Sequence, residues 1–311
     1  MRILYLDCFS GISGDMTLAA LADAGADREY IESELQKIGI EPFSLQWRTV
    51  MKNGISALKV DVLIPEGHEP SRHRHFSEIA EWIRRAGFNE KVQAWSLAIF
   101  TKIGEAEAKI HNIPLDRVHF HEVGAIDSIA DIVGVALALD SLKIDRIVSA
   151  PVPLGYGTVR CDHGLYPVPA PATLEMMRGL PVAPTEIRAE LTTPTGAGII
   201  ASLASEFSSV IPPMVVQQIG YGAGNRDFPD RPNVLRAVIG EAETPPAKHH
   251  AHAHYRGHGH AHDHGHHHGH GHGHEHEQGH QHEHGHHRGH GHGHEHEQGH
   301  QHGHPHGHEP S

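Results

Sequence analysis

Arg2-Ile3-Leu4-Tyr5-Leu6-Asp7-Cys8-Phe9-Ser10-Gly11-Ile12-Ser13-Gly14-Asp15-Met16 stands at the head of the chain. Its first half is mostly apolar and alternates little, as a strand buried on both faces does. A loop of small residues follows, and a helix is predicted from Met16 to Ala24, stopped by Gly25. A second helix is predicted over Arg28–Ile38, stopped by Gly39. Such a strand–loop–helix unit exposes backbone N–H groups at the helix N-terminus, a geometry suited to an anion such as phosphate. Ser10, Gly11, Ser13 and Gly14 are therefore candidate phosphate contacts. Asp7 at the strand end and Asp15 at the helix start are candidates for holding a cation or polarising a substrate. The same residues also suit a tight turn with Ser13 or Asp15 as helix cap, and the residues alone leave both readings open. The spacing is neither that of a P-loop nor that of a dinucleotide fingerprint.

Outward from this unit, Phe43–Met51 and Ile55–Ile64 read as strands joined by the hairpin signal Asn53-Gly54. Pro65–Arg74 is a polar loop. Helices are predicted at Phe76–Arg85, Glu90–His111, Ala125–Leu139, Ala172–Arg178 and Gly196–Glu206. Arg117–His121 is extended, and strands are predicted at Asp145–Ala150, Met214–Ile219 and Asn233–Ile239. Interspersed strands and helices give a mixed α/β (α+β) body over residues 1–240. The strand order is not readable.

Residues 241–311 are of a different kind. Of the 36 histidines, 29 lie from His249 onward, among Gly, Glu and Gln. Gly265–His284 recurs as Gly285–His304 with two differences, a low-complexity tandem repeat. Without apolar residues this tail cannot offset the entropy of ordering, so disorder without metal is expected. Neutral imidazoles on a flexible chain can converge on nickel, zinc or copper. The candidate metal ligands are His249, His250, His252, His254, His258, His260, His262, His264, His266, His267, His268, His270, His272, His274 and His276. Incidental binding by a slippage product is the competing account.

The formal net charge is −13. No basic stripe appears, so no nucleic-acid partner is expected, and the charge favours cations. No segment is long and apolar enough for a membrane span, and the start is too soon charged for a signal peptide. With two distant cysteines, Cys8 and Cys161, a cytoplasmic location is expected. No Ser-His-Asp order, CxxC pair or HExxH helix is present.

Three further groups could carry chemistry. In the stretch His119–Asp131, His119 and His121 point the same way on an extended segment, Glu122 follows, and Asp127 and Asp131 share a helix face. Converging imidazoles and carboxylates suit a metal or phosphate–metal site. Negative charge in a first helical turn is favoured anyway, but that would not account for the His pair. Within Pro151–Pro171, a shaped Pro/Gly loop, His163 is a candidate ligand, acid or base, and in isolation equally a structural histidine. Thr192, Thr193 and Thr195 lead into a helix and offer hydroxyls to a phosphate or a simple cap. Arg226, beyond the glycine-rich loop Gly220–Gly224, adds a cation that could meet phosphate.

Taken together, Asp7–Met16, Val118–Gly134, Pro151–Pro171, Glu190–Gly196 and Gly220–Arg236 resemble the nickel insertion proteins of the lactate racemase cofactor pathway, the pyridinium-3,5-bisthiocarboxylic acid mononucleotide nickel chelatases. The resemblance implies insertion of Ni(II) into a pyridinium mononucleotide bearing two thiocarboxylates, giving a nickel-pincer complex with a nickel–carbon bond. It further implies CTP and a divalent Mn(II) or Mg(II) ion as cofactors, a lyase-type activity, and nickel-pincer-dependent enzymes such as lactate racemase as recipients. Such proteins usually continue past the His-rich tract into a nucleotide-binding C-terminal part, expected here as a separately encoded half. Two other readings stand beside the resemblance: a nickel store or chaperone, and a phosphate-handling metalloenzyme with an unrelated substrate.

Overall fold

The computed structural model describes residues 1–67, 74–120, 123–161 and 164–242. His121, Glu122, His163 and the fifteen candidate ligands from His249 to His276 lie outside the described residues.

Strand β1 (Arg2–Asp7) buries Ile3, Leu4, Tyr5 and Leu6 in succession, as its unbroken apolar run requires. Helix α1 (Gly14–Asp23) starts two residues earlier than the sequence suggests, because the Ser13 hydroxyl accepts the Met16 N–H and caps it there. Asp27 caps α2 (Arg28–Leu35), which tightens into a 3-10 turn at Gln36–Ile38 and ends at Gly39 in the left-handed region. The hairpin of β2 (Ser44–Lys52) and β3 (Ile55–Leu63) turns at Asn53 and Gly54, at φ 45° and 85°.

The short strand β4 (Arg74–His75) precedes α3 (Phe76–Arg85) and the long α4 (Glu90–His111). Next come β5 (His119–Phe120), which pairs with β4, and α5 (Ile126–Ser141). After β6 (Arg146–Ser149) and β7 (Val152–Pro153), the Pro/Gly stretch forms an unforeseen hairpin, β8 (Gly157–Cys161) with β9 (Gly164–Val168). Helix α6 (Pro171–Met176), β10 (Val182–Ala183) and α7 (Pro194–Leu203) follow. Both helices begin on a proline, whose fixed φ and missing N–H suit a first helical position. The chain then runs through β11 (Glu206–Phe207), β12 (Val215–Ala223) and β13 (Val234–Glu241).

Seven strands form one mixed sheet in the order β11-β6-β1-β13-β12-β3-β2. The first strand lies inside it, third from one edge, parallel to β6 and antiparallel to the middle strand β13. Helix α1 lies on β12 and β3, and α5 packs against α1, α2 and α4. Helix α5 is apolar almost all round, with eleven buried residues, and so makes the middle of the main core.

The sequence reading ends the twelfth strand at Ile219 and assigns Gly220–Gly224 to a flexible loop; the structure corrects this. The strand continues to Ala223. A Cβ on Gly222 would sit 1.8 Å from the Met16 carbonyl oxygen, and one on Gly220 2.1 Å from that of Ala20. These glycines let α1 lie directly on the strand.

Candidate functional site

Three helices bring their N-terminal ends to one polar cavity of about 400 Å³. Helix α1 contributes Ser13, Gly14 and Asp15, α5 contributes Asp127, Ser128 and Asp131, and the start of α7 contributes Thr193 and Thr195. Strand β3 closes one wall with Lys59 and Asp61. Helix N-termini carry partial positive charge and unpaired N–H groups, so acidic side chains and anions are favoured there.

Gly14 makes this convergence possible. A Cβ on it would lie 2.7 Å from Asp131 Oδ2 and 2.8 Å from Thr195 Cγ2. Only a residue without a side chain lets α1 touch α5 and α7 at once.

The charges are tightly coupled. Burial pushes the Asp131 carboxyl well above the usual carboxylate range, and the neighbouring Asp15 and Asp127 carboxylates push it further. Lys59 and a hydrogen bond from the Asp15 backbone act the other way. Lys59 is only 5% exposed, with its Nζ 3.5 Å from Asp15 Oδ2 and 3.3 Å from Asp61 Oδ1. The row continues outward, as Asp61 accepts from Arg48 Nε at 2.8 Å. The Ser13 hydroxyl donates to Asp15. A smaller recess of about 160 Å³ shares Ser13, Asp15 and Thr193 with this cavity and adds Arg226 and Asn233.

Asp15, Asp127, Asp131, Ser13, Gly14, Thr193 and Thr195 thus meet in one cavity, with Arg226 beside it. Other candidates are engaged elsewhere. Asp7 accepts from Arg236 Nε at 3.1 Å. The Ser10 hydroxyl donates to the Pro232 carbonyl at 2.7 Å, and the buried Thr192 hydroxyl to that of Pro153 at 2.8 Å. Gly11, at φ +95°, passes so close to Leu191 that a Cβ would clash with its carbonyl. His119 stacks on His75, ring centroids 4.6 Å apart, and does not line the acidic cavity. Two contributors escaped the sequence reading, Lys59 and Asp61. Their signal is a charged pair at i, i+2 on one face of a strand whose residues are otherwise mostly apolar.

Among the described residues, no three His, Cys, Asp or Glu side chains are grouped to hold a metal ion by themselves. None of the described helices is long and apolar enough to cross a membrane.

The nickel insertion protein profile matches residues 4–264. The chain belongs to the nickel insertion protein family. A nickel insertion relative from Geobacillus kaustophilus, named for pyridinium-3,5-bisthiocarboxylic acid mononucleotide, is 56% identical over 248 residues, 78% of this chain and 60% of its own length. A relative of the same name from Staphylococcus epidermidis is 46% identical over 242 residues, again 78% and 60%. A putative nickel insertion protein from Dictyoglomus thermophilum is 46% identical over 241 residues, 78% of this chain and 61% of its own. The chain therefore spans about 60% of the length of these nickel insertion relatives. No solved structure matches the chain.

Proposed function

We propose that this chain binds Ni(II) and delivers or inserts it into pyridinium-3,5-bisthiocarboxylic acid mononucleotide, forming the nickel-pincer cofactor of lactate racemase-type enzymes. The observation that carries this reading is the cavity in which Asp15, Asp127 and Asp131 meet beside Lys59 at three helix N-termini. Hydroxyls and helix-end amides suit the phosphate of a mononucleotide, and carboxylates suit a divalent ion. Nickel is cargo in this scheme, so a site that no three described side chains complete is appropriate: the substrate's sulfurs must take the metal over.

A helper Mn(II) or Mg(II) ion fits the hard oxygen donors Asp15 and Asp127, where it would neutralise phosphate charge. The chain's own residues do the rest. Thr193, Thr195 and Arg226 orient the phosphate, and the Asp131 carboxyl can hold or accept a proton beside it. We further propose that residues 1–240 are the insertion body and 241–311 a His-rich nickel-binding tail. The activity is that of a lyase-type nickel chelatase in the cytoplasm, and it hands its product to nickel-pincer enzymes. CTP use is assigned to a second, C-terminal part, in keeping with the span of about 60% of the relatives' length.

A second reading, a nickel store or chaperone without chemistry of its own, is favoured by the tail, which holds 29 of the 36 histidines. An insertion assay separates them. The purified chain is supplied with the thiocarboxylated mononucleotide, Ni(II), CTP and Mn(II), with and without the C-terminal part of a relative, and nickel-complex absorbance is followed. Product in either mixture supports insertion, and product only with both parts makes this chain one half of a split metallase. No product in either mixture, with nickel still bound, favours the store.

A further inference from the structure

Residues 224–233 join β12 to β13 and wall the recess beside the acidic cavity, with Arg226, Phe228 and Asn233 among its lining. This loop is tied down along its length. Gly224 N–H donates to the Asn233 carbonyl at 3.0 Å, and Asn53 Nδ2 to the Phe228 carbonyl at 3.1 Å. Ser10 holds the Pro232 carbonyl from the other side. A further tie comes from Lys52, the last residue of β2. Its side chain is 9% exposed, and its ammonium donates to the Arg226 carbonyl at 3.2 Å and to Asp227 Oδ1 at 2.6 Å.

Taking an ammonium out of water is costly, so a lysine buried here calls for a reason. Fastening the loop does not supply one. Asn233 Nδ2 already donates to the same Arg226 carbonyl at 2.9 Å, and the Asp227 side chain is 81% exposed, so water can serve it. The reason lies in two neighbouring Arg/Asp pairs of the loop, which meet different fates. Arg231 donates from Nε and Nη2 to Asp230 Oδ2 at 3.2 and 3.0 Å, so its guanidinium is taken up by the adjacent carboxylate. Arg226 has Asp227 beside it in the same way, but that carboxylate is turned to Lys52. Among the described residues the Arg226 guanidinium makes no hydrogen bond or ion pair.

Resting on the phosphate role given to Arg226 above, we propose that Lys52 is a positioning residue for phosphate binding. It holds Asp227 away from Arg226, and the guanidinium stays free for the phosphate of the mononucleotide. Lys52 lines neither the cavity nor the recess, so it acts only through these two neighbours.

The test is calorimetric binding of nicotinic acid mononucleotide to the full chain and its variants. Arg226→Ala is expected to weaken binding about tenfold, as loss of one charge-assisted hydrogen bond does. Lys52→Met is expected to weaken it about fivefold, because Asp227 then pairs with Arg226. Adding Asp227→Asn to Lys52→Met is expected to restore affinity to within about twofold of the wild type, and Asp227→Asn alone to leave it there. A loop merely loosened by the loss of Lys52 would not be repaired in this way. Circular dichroism checks the fold, and if Lys52→Met does not fold, Lys52→Gln carries the same expectations, since its amide can still donate to the Arg226 carbonyl. Weakening that Asp227→Asn fails to reverse overturns the role of Lys52 and leaves the phosphate reading standing. So does unchanged binding in the Lys52 variant when Arg226→Ala weakens it. Unchanged binding in Arg226→Ala, or a wild type that does not bind the mononucleotide, removes the phosphate role of Arg226 and this inference with it.

Discussion

Lys59 Nζ stands 3.5 Å from Asp15 Oδ2, with the lysine side chain almost wholly buried. The ammonium therefore pairs with a carboxylate at the mouth of a helix, inside a cavity that three more aspartates line, Asp61, Asp127 and Asp131. Lys59→Met removes the cation that Asp15 and Asp61 share and leaves Asp61 with Arg48 alone. The expected cost is about 1–3 kcal/mol in urea unfolding, below that of breaking a fully buried pair because both carboxylates keep some solvent. Insertion rate should fall at least tenfold, with partial recovery in Lys59→Arg. An unchanged rate would remove Lys59 from the working site.

The Asp131 carboxyl gives a prediction with a definite sign. Its folded pKa stands above the ordinary 3.8, so the native state keeps a proton that the unfolded chain gives up. Stability is then lost as pH rises from about that ordinary value through the raised one. Asp131→Asn escapes this loss. Melting temperatures of variant and wild type should agree near pH 4 and diverge toward pH 7, with the variant higher, while insertion activity is lost. A wild type that gains on the variant as pH rises would contradict this account.

Gly14→Ala is expected to act on packing and chemistry together. The new methyl group would press on Asp131 and Thr195 at 2.7–2.8 Å. Overpacking of this kind costs typically about 1–3 kcal/mol. The measurement that matters is the mononucleotide Kd at a temperature where the variant is fully folded. It should rise tenfold or more, because the three helix ends are forced apart.

Removal of residues 247–311 should cut the nickel bound per chain severalfold while sparing insertion when nickel is abundant. Equilibrium dialysis and the insertion assay read the two effects. Loss of insertion at every nickel level would make the tail part of the mechanism. His119→Ala combined with His121→Ala should do the reverse, weakening insertion with bulk nickel capacity nearly intact.

Local signals carried much of this far. The buried strand at Ile3–Leu6, the Asn53-Gly54 turn and the shared face of Asp127 and Asp131 were legible because each depends on neighbours in sequence. Lys59 was not, since its meaning depends on α1 lying across β3, a contact between segments some forty residues apart. The glycines of β12 misled for a related reason: Gly220 and Gly222 look like loop residues until a helix is found lying on them. The hairpin of β8 and β9 was hidden by the prolines and glycines that shape its ends.

The interior place of β1 has a consequence for how the protein is made. Arg2 pairs with Glu241 and Asp7 with Arg236, so the first strand obtains one of its two neighbours only about 230 residues later. At a synthesis rate of roughly 5–20 residues per second, that edge stays open on the ribosome for on the order of ten to fifty seconds. An unpaired apolar strand held open so long is a natural client for a chaperone. The acidic cavity, walled in part by β3 beside β12, waits on the same closing step. Because the histidines follow β13 directly in sequence, the His-rich part of the chain leaves the ribosome only after the strand that completes the sheet around β1.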